Sequence, residues 1–214
     1  MADAFDPTTQ LTLNDIEIGA RLVGALVHHA RKSDGAPIAY DELLELGRFL
    51  DPKDAAMGRA EVLGVVMKLR FVAEFCKEHG YPNLAALAVH PATMRPGPGY
   101  VGVWEAEREA IAAFDWSPVA TKLPDYTRAA RAGVPVRFKL RKERPAEVSW
   151  YAYFSAHREA CKNITSGDKR EVVNLVMAGL DPETALRRFL AAKAGFEAGP
   201  GAARCNVNAD YKEI

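Results

Sequence analysis

The chain of 214 residues is short of several features that would narrow its role. It carries no net charge, because 28 lysines and arginines balance 28 aspartates and glutamates. Binding to a polyanion through the bulk field is thereby excluded, and any nucleic-acid contact has to come from a local patch. Cysteine is scarce: Cys76, Cys161 and Cys205 are odd in number, far apart and without a C-x-x-C pair. That argues against a disulfide framework or a zinc knuckle and fits a reducing cytoplasm, where the protein is expected to reside. No apolar run approaches the roughly 18 residues that a membrane span requires. The opening MADAFDPTTQ is acidic and poor in apolar side chains, unlike a secretory leader. Phosphate-loop, nucleophile-elbow, zinc-protease and EF-hand patterns are missing, as is any repeat of solenoid period. With no nucleophile beside an evident base, the chain is expected to be non-enzymatic and to need neither metal nor cofactor.

What is present is a mainly helical α+β pattern. Residues 1–13 read as a loose arm. The stretch LNDIEIGARLVGALVHHARKSDG places Ile16, Ile18, Leu22, Val23, Leu26 and Val27 at helical spacing, with Asn14 as a cap and Gly35 as a stop. A second helix is predicted from Tyr40 to Leu50, with Leu43, Leu44, Leu46 and Phe49 inward. A long third helix is predicted from about Arg59 to His79, closed by Gly80. LAALAVH then reads as a short strand, PATMRPGPG as a stiff loop and YVGVW as a returning strand, so residues 84–104 are expected to form a β-hairpin. Three helices followed by strand, loop and strand is the winged-helix order, and residues 14–116 are assigned to it.

Residues 117–194 follow as a second region. Prolines 118, 124, 135 and 145 are expected to break up its first part, within which VPVRFKLRK alternates like a half-exposed strand. An aromatic helix carrying Trp150, Tyr151, Tyr153 and Phe154 comes next. Two more helices follow, the first capped by Ser166 or Asp168 and ended by Gly179, the second started by Asp181-Pro182. Residues 195–214 read as a mobile tail.

Charge is unevenly spread. The first sixty residues lean acidic, whereas Lys122 to Arg144 hold eight basic residues against Asp125 and Glu143. On the predicted basic strand, Arg137, Lys139 and Arg141 share one face, with Lys142 next in line. They could hold phosphates or simply keep an edge strand from aggregating. Met94 and Arg95 sit at the loop tip, where they could reach DNA or a protein partner. His157 and Cys161 are four residues apart, but a metal needs further ligands that the sequence does not group with them. His28 and His29, adjacent on a helix, point about 100° apart and cannot easily share a ligand. The stretch REVVNLVMAGLDPETALRRF is similar to the first two helices of transposase and resolvase helix-turn-helix units, though the glycine-rich sequence after it lacks the third, which makes it a plain helical hairpin.

The segments GAPIAYDELLELGRF, GRAEVLG, LAALAVH and GPGY together resemble the C-terminal winged-helix domain of O6-alkylguanine-DNA alkyltransferases and the alkyltransferase-like proteins that bind damaged DNA without repairing it. A similar layout occurs in proteins of bacterial mobile elements. The resemblance covers residues 14–104. Tyr40 and Glu42 match the family's Thr-Tyr-Gly-Glu-Leu helix start, with Asp41 in place of its glycine. Arg59 matches the arginine that the family inserts into the DNA stack. Only His90 matches the family's reactive Cys-His pair, and Val89 stands where the cysteine would be. Alkyl transfer needs a thiolate, which valine cannot supply.

The resemblance thus implies a degenerate winged helix and a non-catalytic nucleic-acid-binding accessory protein, encoded on a plasmid or phage. Arg59, Arg95, Arg137, Lys139, Arg141 and Lys142 would contact DNA. The alternative is an inhibitor or adaptor that binds a protein of a DNA-processing machine, such as a nuclease, a conjugative DNA-transfer ATPase or a restriction system. In that case Met94, Arg95, Trp150 and Tyr153 would form the contact. The apolar third helix favours this second reading, because a helix apolar on several faces is usually buried.

Overall fold

A computed structural model describes residue 6 and residues 10–97, 100–138 and 140–198. Among these, nine α-helices and two short parallel strands make a mainly helical chain: α1 Leu13–Ser33, β1 Ile38–Ala39, α2 Tyr40–Leu50, α3 Ala55–Arg59, α4 Val62–His79, β2 Ala88–Val89, α5 Trp104–Ala113, α6 Val119–Gly133, α7 Glu143–Ala156, α8 Ser166–Met177 and α9 Pro182–Ala198.

The first helix is capped two residues before Asn14. Thr12 caps it in a reciprocal box: its hydroxyl accepts from the Asp15 N–H at 3.3 Å, and the Asp15 carboxylate accepts from the Thr12 N–H at 2.8 Å. Residue 12 therefore belongs to the folded body and not to a loose arm. One residue from the far end of the chain completes the box. Arg188 on α9 donates to Asp15 Oδ2 at 2.6 Å and to the Gln10 carbonyl at 2.8 Å, with both charged side chains buried. The helix ends where Asp34 and Gly35 adopt positive φ. Gly19 lets α1 lie close to α4, since a Cβ there would stand 2.7 Å from Phe71 Cβ.

Helix α2 forms as expected, except that Phe49 points outward and is 76% exposed. The expected third helix starts later, at Val62, and a separate short helix precedes it. Asp54 caps the short α3, accepting from the Ala56 and Met57 N–H groups at 2.9 Å each, and Arg59 is its last residue. An extended step at Ala60 and Glu61 then precedes α4.

The hairpin over residues 84–104 is not what forms. Leu84–Leu87 is a 3-10 turn capped by Asn83. Ala88–Val89 pairs in parallel with Ile38–Ala39, and the described residues of 100–103 are not strand. The loop folds back on itself instead: the His90 N–H reaches the Arg95 carbonyl at 2.9 Å, and the Met94 N–H reaches the His90 carbonyl at 2.8 Å. The strand expected around 134–142 is likewise an irregular segment, while the proline-rich stretch before it is α6, with Pro124 inside the helix. Tyr126 explains why α6 survives its proline: it packs against Phe71 and Phe75 at ring separations of 5.2 and 5.3 Å, and such tertiary contact outweighs one lost backbone bond. The aromatic helix is shorter than expected and stops at Ala156. Thr165, not Ser166 or Asp168, caps α8, with Asp168 as its box partner. Residues 195–198 continue α9; the remainder of the expected tail, 199–214, lies outside the described residues.

Two apolar cores result. One gathers α1, α2, the inner face of α4 and the 3-10 turn; the other gathers α7, α8 and α9. Helix α4 is the wall between them, with Val65, Phe71, Val72 and Phe75 in the first core and Leu63 and Met67 against the second. Across this wall Lys68 forms an ion pair with Glu171 of α8, both side chains only 1% exposed. The second Glu171 oxygen accepts from Asn174 Nδ2 at 3.2 Å, and the same amide donates to the Arg59 carbonyl at 3.0 Å. A glycine is required opposite, because a Cβ at Gly64 would lie 2.5 Å from the Glu171 carboxyl carbon.

Removing one partner of a buried pair leaves the other charge without compensation, which costs about 3–5 kcal/mol, whereas apolar replacement of both is close to neutral. Lys68→Met is therefore expected to lose stability of that order in urea denaturation, and Lys68→Met combined with Glu171→Met to regain most of it. Equal losses in the single and double variants would contradict this account.

Candidate functional site

Three places gather the side chains singled out from the sequence. The first is a pocket of about 320 Å³ beside the β1–β2 pair. Tyr40, at the first turn of α2, forms one wall. Val66, Leu69 and Ala73 of α4 form another, and Pro96, Gly97 and Tyr100 close it. Burial pushes the Tyr40 hydroxyl up to about 12, partly offset by its hydrogen bond to the Gly97 backbone, so it stays protonated at neutral pH. The parallel pairing sets His90 next to Tyr40, with ring centroids 6.4 Å apart. Phe196 of α9 covers the same histidine at 4.2 Å. Val89 is fully buried in β2. The motif residues Tyr40, His90 and Tyr100, distant in sequence, thus converge.

The second place is the start of α4 and the loop. Arg59 is half-buried at the end of α3, where the Asn174 amide holds its carbonyl; it does not begin the long helix. Arg95 lies 5.0 Å from the Trp104 ring and 3.4 Å from Glu105, so its guanidinium is turned back onto α5. Met94 is 46% exposed with φ of 50°. Helix α4 offers little to a groove. Its inner faces meet the two cores, and its exposed rim carries Arg70 and Lys77 together with Glu74 and Glu78, of which Arg70 and Glu74 pair at 2.6 Å.

The third place is the basic segment. Without strand geometry, its cations do not share one pleated face. They are displayed along a pinned irregular track instead. Phe138 packs onto the second core beneath Arg137, whose guanidinium lies 4.9 Å from the ring. The Arg141 N–H bonds the Met177 carbonyl at 2.7 Å, and its side chain reaches the Gly179 carbonyl at 3.5 Å. Lys142 caps α7 in an extended conformation. Arg137, Arg141, Lys142 and Arg144 are all exposed, and Lys139 lies outside the described residues.

Of the proposed partner-contacting aromatics, Trp150 is only 4% exposed and belongs to the second core, so it is no protruding anchor and shows only an edge at the surface. Tyr153, half-buried, stacks on His157 at 4.2 Å. His157 is exposed while Cys161 is buried, and no group of three or more metal-ligating side chains exists among the described residues. His29 is committed to the Ala36 carbonyl at 2.8 Å. Val101, Val103 and Val148, which the sequence reading did not single out, are exposed, as is Tyr151 of the aromatic helix; only tertiary packing decides which apolar residues are left over. No helix among the described residues is long and apolar enough to cross a membrane. No protein-family model, no curated protein and no solved structure matches the chain.

Two outcomes follow from the electrostatics. Burial pushes the Cys76 thiol up to about 12 and raises Cys161 as well. Neither is then expected to react with iodoacetamide in the native chain at pH 8, and both should label fully in urea, as read by peptide mass spectrometry. For Asp54, burial would raise the carboxyl, but the Met57 N–H, Arg21 and the Ala56 N–H outweigh it and hold the group below its usual value of 3.8. A depressed folded value contributes stability above the usual value that is lost as pH falls through the folded one. Asp54→Asn is expected to cost about 0.5–1 kcal/mol at pH 7, given solvent screening at the half-exposed Arg21. The gap to the parent should close in acid; a gap that widens on acidification would refute it.

Proposed function

We propose that the chain is a non-catalytic, cytoplasmic nucleic-acid-binding accessory protein, of the kind a plasmid or phage encodes, that holds backbone phosphates with residues 137–144. The observation that carries this reading is the exposed track itself. The sequence RFKLRKER sets five cations against one acid, and its described cations are all exposed on a segment fixed by Phe138 and Arg141. Pinned cations lose less conformational freedom on binding than loose ones, and phosphate contacts need no base-reading helix.

The resemblance to alkyltransferase-like proteins supports the same reading, since Tyr40, His90 and Tyr100 gather around one region. The mode differs from that family's in two respects: Val89 offers no thiol, and α4 is committed to two cores. Phosphate holding therefore dominates over groove reading, and Arg59 and Arg95 contribute less than the basic segment.

A second reading has its own observation. The exposed loop side chains Met94, Val101 and Val103 are apolar, the last two 93% and 71% exposed, and an α4 packed on both sides suits a protein-binding inhibitor or adaptor of a DNA-processing or DNA-transfer machine.

Titration of labelled duplex and single-stranded DNA across salt concentrations separates the two. Four phosphate contacts give a slope of log K against log salt of about −3 to −4. The Arg137/Lys139/Arg141→Ala triple variant is expected to weaken binding at least about tenfold and to flatten that slope, while Arg59→Ala changes it only slightly. Absence of binding at low salt, or binding indifferent to salt, moves the assignment to the protein-binding reading.

A further inference from the structure

Helix α7 presents two large apolar side chains to solvent one turn apart, Val148 at 63% and Tyr151 at 71% exposure, with the small Ala152 and Ser155 continuing the same stripe. Immediately beside them, between α7 and α8, runs a groove of about 510 Å³. Val148, Tyr151 and Ala152 form its α7 wall with Trp150 and Phe154, Val173 faces them from α8, and Glu147 and Lys169 are the charged residues of its lining. Lys169 Nζ lies 4.9 Å from the Phe154 ring. Trp150 and Val173 belong to the second core, so the groove is a fixed feature of the packing.

A twofold interface demands that one patch be complementary to itself. This patch satisfies that demand in shape and in charge. It contains a groove whose wall carries a protruding tyrosine, and one acid and one base belong to the lining of that groove. The chain as a whole has no net charge, so no long-range repulsion opposes the approach of a second copy.

We infer that α7 and the α7–α8 groove form a self-association surface. Two copies pack α7 against α7 about a twofold axis, Tyr151 of each entering the groove of the other, with Glu147 of one copy facing Lys169 of its partner. Tyrosine is suited to the role, being large, amphipathic and cheap to order.

Sedimentation equilibrium of the full chain over a range of concentrations tests this. The expected result is a concentration-dependent rise to twice the 23.4 kDa chain mass. Tyr151→Glu, an exposed position whose change should leave the circular-dichroism melt unaltered, is expected to weaken dimerisation at least about tenfold. Glu147→Lys alone is expected to weaken it, and adding Lys169→Glu to restore it, because only a self-complementary contact is repaired by a swap within one chain. A monomer at every concentration, a dimer indifferent to Tyr151→Glu, or a charge swap that restores nothing would each overturn the inference. These outcomes do not involve nucleic acid, so they stand or fall separately from the phosphate-holding reading.

Discussion

Lys68 and Glu171 meet between α4 and α8 with both charges withdrawn from water. Such a pair is tolerable only when geometry is fixed on both sides, because desolvating either ion alone is far more costly than their attraction can offset. That requirement propagates. Gly64 must lack a side chain, Asn174 must bridge Glu171 to the Arg59 carbonyl, and α8 must sit at one height along α4. A second buried pair, Arg188 with Asp15, does the same for α9 against the cap of α1. The two cores are therefore joined by polar contacts with a single register, and by an α4 that serves both.

This has a direct bearing on function. A helix placed like a recognition helix in sequence is, in space, an internal partition. The aromatic helix that looked like a contact surface turns Trp150 inward and Tyr151 outward, so the same short run supplies both core and exposed knob. The loop arginine, Arg95, is drawn back onto Trp104 and Glu105. In the segment before α7, Phe138 and the Arg141 backbone hold the chain, and Arg137, Arg141, Lys142 and Arg144 are exposed.

Much of the helical layout was legible. The apolar spacing of α1, the Asp181-Pro182 start of α9 and the closure of α4 at Gly80 all rest on local physics: periodicity, capping and the left-handed freedom of glycine. The errors share one origin. LAALAVH and YVGVW looked like two arms of a hairpin, but Ala88–Val89 found its partner at Ile38–Ala39, fifty residues earlier. Pro124 looked like a break, but Tyr126 packs α6 onto α4 regardless. Phe49 looked buried by spacing and is exposed, because among the described residues no other element covers it at the end of α2.

Residue identity and local pattern sufficed to show that the chain is mainly helical, where α2 and α9 begin and α4 ends, that no thiol stands at position 89, and that residues 137–144 are strongly basic. Those properties depend on residue identity and on neighbours within a turn or two. Only the tertiary structure decided that α4 is shared between two cores, that the cations of 137–144 lie on a pinned loop and not a strand, and that Tyr40, His90 and Tyr100 come together. Each of these is fixed by contacts between residues tens of positions apart, whose free energy no local window of sequence contains.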